Sequence, residues 1–171
     1  MSLCNLQSIE ASQIKNGTYV LIDQRPCIIQ GVLHTKPHKN QFTRANLTGL
    51  DLLTKKRLVW SGQIKWKVMT FIPIKQEYQL LHVNERSLVC LDHENQEKSI
   101  LINNGLPLYR QIKQNHDQNQ NQKMIISAVI VPIENTKDNY TSAIYAENFK
   151  IGGEPMRKSC ERMTFNVSPP P

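Results

Sequence analysis

The 171-residue chain is predicted to be an all-β protein of two small barrels. Short runs of β-branched and aromatic residues recur through both halves, and turn residues interrupt them at the spacing of barrel strands. Pro73 follows the first set of runs, and a proline disfavours continuation of a central strand. Only one segment, in the second half, has the pattern of a helix. These three observations predict two β-units that meet near residue 73.

The first half holds a set of five or six predicted strands, which is typical of a small barrel. Gly49 is expected to form a bulge or bend within one of them, and the turn between the first two runs from Asp23 to Pro26. The predicted strands are Thr18–Ile22, Cys27–Leu33, Phe42–Leu53, Arg57–Trp60 and Trp66–Phe71.

The second half places a helix, Pro107–Lys113, between its third and fourth strands. Proline fits the first turn of a helix, and this order is that of an oligonucleotide/oligosaccharide-binding (OB) barrel. Residues 115–122 are low in complexity and are predicted to be a mobile loop, while 151–171 are rich in glycine and proline and are predicted to be a disordered tail. The predicted strands are Glu77–Val83, Ser87–Leu91, Lys98–Ile102 and Met124–Ile133.

Basic charge is concentrated in the first half. The net charge is +7, and residues 1–72 hold ten Lys and Arg against three acidic residues, so that 10 − 3 = +7 lies there. Residues 73–171 hold eleven of each and are neutral. A basic region of this kind indicates an anionic partner, and nucleic acid is the simplest one.

Patterns for catalysis, metal binding and membrane insertion are missing from the sequence. It has no phosphate-binding glycine loop, no nucleophile elbow and no zinc-protease helix. The four cysteines are far apart and predict no zinc site, and Cys27 and Cys90 lie in apolar runs that favour buried free thiols. We expect neither a signal peptide nor a spanning helix. Binding in the cytoplasm is therefore predicted, rather than catalysis.

Several short strings occur in an order that resembles the eukaryotic translation initiation factor 5A family, whose bacterial relative is elongation factor P. The resemblance covers about residues 6–150 and extends to neither the tail nor the first residues. The strings are KNG at 15–17, RPC at 25–27, KPHKN at 36–40, NLTGLD at 46–51, TKK at 54–56, EYQL at 77–80 and the apolar strand at 124–131.

The resemblance implies an SH3-like barrel at 1–72 followed by an OB-fold barrel at 73–150. It implies a translation factor, not an enzyme, that binds the ribosome through rRNA and peptidyl-tRNA. Such a factor promotes peptide-bond formation at stalled sequences, for example proline runs, and aids termination. It needs no cofactor, binds no membrane and would be a monomer or weak dimer.

The family's working residue is a lysine at the tip of a basic loop, here 34–44. Transfer of an aminobutyl group from spermidine by deoxyhypusine synthase, followed by a hydroxylase, converts it to hypusine. Counting back from Gly49 places it at Lys39, with Lys36 as a second, unmodified lysine. Pro37, His38 and Asn40 would support the loop. The resemblance further implies RNA-backbone contacts for Arg44, Lys55, Lys56 and Arg57.

This chain departs from the family pattern in its loop. The family flanks its lysine with glycines, whereas His38 and Gln41 occupy those positions here, and TKK at 54–56 lacks a usual glycine. The chain resembles a divergent member or paralogue. Two alternatives remain open: a self-assembling structural protein of the same two-barrel fold, which large assemblies in light scattering would favour, and a general RNA binder that uses its OB barrel.

Overall fold

The computed structural model describes residues 5–36, 38–39, 41–118, 121–137, 139–152 and 159–160. The chain divides into two compact units. Unit 1 includes the chain up to Ile72 together with residues 132–142, and unit 2 includes Pro73–Val131 and Ala143–Cys160. The predicted 73–150 domain is thus interrupted, because the hairpin that ends it has two 13-residue strands whose distal part groups with unit 1.

Unit 1 is a six-stranded antiparallel sheet in the order β1-β6-β2-β3-β4-β5. This is the SH3-like part of the fold, and the predicted strands of the first half are confirmed with small shifts of their ends. A single 3-10 turn, Ala11–Gln13, follows β1. The strands are β1 Gln7–Glu10, β2 Tyr19–Ile22, β3 Arg25–Thr35, β4 Arg44–Asp51, β5 Arg57–Gln63 and β6 Lys67–Thr70.

β4 shows how the sequence of unit 1 determines its inner face. Burial alternates at every residue of this strand, so that Ala45, Leu47, Gly49 and Asp51 face the core. A Cβ at Gly49 would lie 2.8 Å from Ile22 Cδ1 and 3.0 Å from Cys27 Cβ. The predicted bulge at Gly49 is wrong: the register shifts on the partner strand, between Ile29 and Gly31. Glycine is needed at 49 for close packing and not for a bend.

Unit 2 is an OB barrel. Its strands follow the order β10-β11-β9-β8-β7, and β10 also pairs with β7, so the five strands close on themselves. β11 runs parallel to β9 at Tyr145 and Leu101. The elements are β7 Ile74–Val83, β8 Ser87–Leu91, β9 Glu97–Leu101, α1 Pro107–Gln118, β10 Met124–Thr136, β11 Asn139–Ile151 and β12 Ser159–Cys160.

Helix α1 lies between β9 and β10 as predicted, but it is longer than the sequence indicates. It continues to Gln118, so the predicted loop at 115–122 is wrong for its first four residues. Ile112 is fully buried, and Leu108 and Tyr109 pack against the same core. The side-chain amide of Asn115 donates a 2.7 Å bond to the carbonyl oxygen of Gln111, one turn earlier. The polar residues therefore extend a helix that is anchored by its first two turns.

The predicted disordered tail is wrong at its described positions. Ile151 ends β11, and Ser159–Cys160 pair antiparallel with Lys75 and Ile74 of β7. β8 pairs with β7 only from Gln79 onward. The start of β7 therefore has backbone groups on that edge with which β12 can pair. Residues 153–158 and 161–171 of the predicted tail lie outside the described residues.

Candidate nucleic-acid interface

Lys39 lies in a closed turn at the end of the β3–β4 hairpin. β3 ends at Thr35 and β4 begins at Arg44, and these residues face each other in the ladder. The amide of Gln41 donates a 3.1 Å hydrogen bond to the carbonyl oxygen of His38, which makes Lys39 the second residue of a four-residue turn. Lys36, His38 and Lys39 are exposed. Pro37 and Asn40, predicted to support the loop, lie outside the described residues.

The base of this loop is fixed by the sheet. The β3–β4 ladder is continuous in register from Gly31 to Thr35, and Ala45 and Leu47 behind it are fully buried. The amide of Ile64 donates a 3.1 Å bond to the carbonyl oxygen of Thr43, so the returning leg of the loop is also attached to the β5–β6 connection. A loop on such a support presents its tip at a defined place.

The two loop lysines are free to bind an anion. In the part of the chain that the structure describes, neither Lys36 nor Lys39 has an ion-pair partner. A lysine ammonium has three donors on a flexible four-carbon stem, so it can reach a phosphate without a fixed geometry. The tip therefore offers compact positive charge.

The residues that the resemblance implies as RNA contacts lie at both ends of β4. Arg44 begins this strand at the base of the Lys39 loop, where it faces Gln63. Arg57 faces Leu50 near the other end, and Lys55 and Lys56 belong to the turn beyond it. Six residues of strand separate the two ends, which corresponds to about 20 Å. These four residues therefore form two separate basic groups.

Asp51 builds the turn that carries Lys55 and Lys56. Its carboxylate accepts bonds from the amides of Leu53 and Thr54, at 2.8 and 3.0 Å, and from the Arg25 guanidinium at 2.6 and 3.1 Å. Burial raises the pKa of Asp51, but the bonds from Arg25, Thr54 and Leu53 outweigh it and hold the pKa below 3.8. Lys55 has φ +63°, a conformation that favours glycine.

A basic and aromatic segment beside the loop was missed as a candidate site. Trp66 is 51% exposed between two exposed lysines, Lys65 and Lys67. The sequence alone favours a place in the barrel core or rim for this tryptophan. The signal that could have found it is the alternation of lysine, tryptophan and lysine directly before a short strand.

The part of the chain that contains the Lys39 loop is similar to known proteins. The family model for translation initiation factor 5A-like, N-terminal, matches residues 5–60. Translation initiation factor 5A of Methanothrix thermoacetophila is 28% identical over 86 residues, which cover 50% of this chain and 68% of that protein. That of Thermoplasma acidophilum is 27% identical over 95 residues, covering 56% and 74%. The first half of this chain is therefore similar to translation initiation factor 5A. It is thus related to translation factors.

Solved structures of the initiation factor 5A family share the two-barrel fold. A translation initiation factor eif-5a family protein from Naegleria fowleri superposes with a TM-score of 0.64, at 19% identity, over 85% of this chain and 98% of that one. Eukaryotic translation initiation factor 5A from Methanococcus jannaschii gives 0.53 at 17% identity, over 93% and 98%. At these identities the likeness shows the fold.

The OB barrel of this initiation factor 5A relative offers few aromatic surfaces. Tyr78 and Tyr145 are 2% and 1% exposed, and the hydroxyl of Tyr109 donates to the carbonyl oxygen of Asn84. Burial, with smaller contributions from Asp92 and Cys90, raises the pKa of Tyr78 to about 12. RNA binding through stacked bases, as in the alternative hypothesis, requires exposed rings. The second half of the chain has four tyrosines, and two of them are buried and unavailable to a base.

Nucleophilic and metal chemistry also receive no support from the described residues. Cys27 and Cys90 are buried free thiols, as the sequence predicts. Burial is the main reason that the pKa of each rises to about 12, so both stay protonated at neutral pH. The described residues hold no group of three or more His, Cys, Asp or Glu that could bind a metal ion. Among them, no helix is long and apolar enough to cross a membrane.

Proposed function

We propose that this chain is a ribosome-binding translation factor that acts through Lys39. It would promote peptide-bond formation at stalled sequences such as proline runs, and aid termination, in the cytoplasm. The observation that carries the proposal is the exposed Lys39, which has no ion-pair partner among the described residues and lies at the second position of a closed turn, on the hairpin of the unit that holds the basic charge. The similarity of residues 5–60 to the translation initiation factor 5A-like N-terminal model supports the same role.

The chemistry of the loop fits a contact with RNA. A lysine at a loop tip can enter a narrow channel lined by phosphates, and each phosphate neutralised strengthens binding in a salt-dependent way. Arg44 at the loop base would hold RNA backbone, which positions the tip without reading sequence. Lys55, Lys56 and Arg57 would hold a second stretch of rRNA or tRNA about 20 Å away along β4.

Conversion of Lys39 to hypusine would extend this reach. A new bond forms between Lys39 Nζ and the aminobutyl carbon of spermidine, while the bond from that carbon to the spermidine nitrogen breaks and the rest leaves as a diamine that takes up the proton lost from Nζ. The hydroxylase then inserts one oxygen atom of dioxygen into a C–H bond of the new arm, with an external two-electron reductant reducing the other oxygen atom to water. The product has a longer stem and a second cation. The turn closes through His38 and Gln41 although both positions lack the family's glycines, which supports recognition by deoxyhypusine synthase and the hydroxylase.

Two measurements test this proposal. Mass spectrometry of the protein from its native host should show the hypusine mass on Lys39 and none on Lys36, which serves as the internal control. In a reconstituted translation assay with a polyproline message, Lys39→Arg keeps the charge but cannot accept the aminobutyl group. We expect it to lose the stimulation, while Lys36→Arg keeps it. An unmodified Lys39 with a fully active Lys39→Arg variant would contradict the proposal.

A further inference from the structure

The segment Lys65–Trp66–Lys67, with Phe42 beside it, forms a second candidate site that we call the tryptophan platform. Phe42 is 67% exposed and Trp66 is 51% exposed, so two large rings lie open to solvent. Lys65 and Lys67 are exposed on either side of Trp66 in sequence. Exposed aromatic rings next to cations are the combination that binds single-stranded nucleic acid.

Trp66 is held in place by its neighbours. A Cβ at Gly62 would lie 2.6 Å from Trp66 Cε3 and 2.7 Å from Trp60 Cη2, so both rings pack directly on the glycine. The amide of Trp66 donates a 3.0 Å bond to the carbonyl oxygen of Gln63, and its carbonyl accepts a 2.8 Å bond from Ala11. A ring that is fixed on one side and exposed on the other loses little conformational entropy when a base stacks on it.

The platform lies at the base of the Lys39 loop. The hydrogen bond between Ile64 and Thr43 joins the two segments, and Phe42 and Trp66 are one and two residues from that bond. Arg44 pairs with Gln63 at the same end of the β4–β5 ladder. Glu10 pairs with Lys67 across β1 and β6, so one acidic residue lies beside the basic residues Lys65, Lys67 and Arg44. Positive charge exceeds negative charge here.

We propose that Trp66 is a stacking platform for a base of single-stranded RNA, with Lys65 and Lys67 on its flanking phosphates. The site would give the ribosome-bound protein a second hold on RNA beside Lys39, and in this respect it rests on the proposed function. A protein partner fits the chemistry less well, since lysine is depleted from the cores of protein interfaces while aromatic residues are enriched. Here the ring is bordered by lysines on both sides.

Binding of a free oligonucleotide to the full-length protein tests the platform without a ribosome. The probe is a short oligouridylate, and the matched probe is the same ribose–phosphate chain without bases. Trp66→Ala should weaken binding of oligouridylate about 5- to 150-fold, and Trp66→Phe should retain most of it. Neither change should affect the baseless chain. The control is Val59→Ala, since Val59 is a 59% exposed apolar residue away from the platform.

A second readout leaves the Trp66 side chain intact. Trp60→Phe leaves Trp66 as the sole tryptophan. We expect oligouridylate to quench its fluorescence and to protect it from acrylamide, while the baseless chain does neither.

Equal affinity of Trp66→Ala and the parent, or equal quenching by both probes, would overturn the platform. If Trp66 is protected by self-association of the protein instead, the surface is a protein contact and the proposal fails. Because no ribosome is present, failure here leaves Lys39 untouched, and a failed Lys39 test leaves this binding measurable.

Discussion

At the scale of single residues, the polar interactions of unit 1 centre on Asp51. It occupies an inward position of β4, where its neighbours in the alternation are Ala45, Leu47 and Gly49. The carboxylate satisfies two turn amides and binds Arg25, which is 26 positions earlier and more than a third exposed. The sequence places Asp51 in a string that resembles the family but predicts no partner for it, because pairing at a separation of 26 residues depends on strand register.

Replacing Asp51 with Asn should destabilise the protein by about 2 to 4 kcal/mol at neutral pH, because it leaves Arg25 and a turn amide poorly paired. The pKa of Asp51 in the folded protein is lowered from its ordinary value of 3.8. The carboxylate therefore stabilises the fold fully above pH 3.8, and this stabilisation is lost as the pH falls through the lower pKa of the folded state. Urea unfolding measured from pH 7 to pH 3 gives the free energy of unfolding of the parent and the variant. The difference between the two values should narrow below about pH 4. A constant gap would contradict this role.

Lys55 carries backbone strain that a glycine would relieve. Its φ is +63°, and a side chain in this region costs about 1 to 2 kcal/mol. Lys55→Gly should raise the free energy of unfolding by about 0.5 to 1 kcal/mol, after the greater flexibility of glycine in the unfolded chain is subtracted. The control is Lys56→Gly, which removes the same charge outside the left-handed region and should be neutral or destabilising. Chemical denaturation distinguishes them, and equal effects would refute the assignment.

At the scale of elements, strands marked by runs of apolar and β-branched residues could be predicted, whereas β1, β11 and β12 could not. β2, β3 and β8 contain such runs and appear where expected. β11 was not assigned from the sequence, because Tyr145 is its one fully buried residue and its apolar positions follow no clear period of two. The last turn of α1 consists of polar residues, whose pattern predicts a loop and not a helix. The Lys39 turn followed from family resemblance, whereas the packing of Trp66 on Gly62 depends on a turn geometry that no pattern encodes.

Gly49 and Gly31 allow a matched test of close packing within the β3–β4 pair. A methyl group at Gly49 would collide with Ile22 and Cys27, while one at Gly31 would meet Thr48 Cβ at an ordinary 3.6 Å. Gly49→Ala should therefore cost about 1 to 3 kcal/mol of unfolding free energy, and Gly31→Ala about 0.5 kcal/mol or less. Thermal or urea unfolding measures both. If Gly31→Ala lowers the free energy of unfolding as much as Gly49→Ala does, glycine is needed at both positions for backbone flexibility and not for lack of space.

At the scale of the whole molecule, the charge of +7 is better described as two basic groups than as a uniform field. One surrounds the Lys39 loop and includes Lys36, Lys65 and Lys67, and the other is the turn at Lys55–Arg57. About 20 Å of strand β4 separates them. Groups so far apart and without shared partners contribute independently to binding. The steepness of salt dependence then reports how many phosphates each group contacts.

Three charge-matched triple variants separate local from global charge. Glutamine replaces Lys36, Lys65 and Lys67 in the first, Lys55, Lys56 and Arg57 in the second, and the exposed Arg86, Arg110 and Lys113 of unit 2 in the third; each lowers the net charge from +7 to +4. If unit 1 docks on rRNA through both groups, the first two should each reduce the salt slope of ribosome binding by up to about 3, and their effects should add. The unit 2 variant should leave the slope unchanged. An equal loss in all three variants would mean that bulk charge alone attracts the ribosome, since only position differs among them.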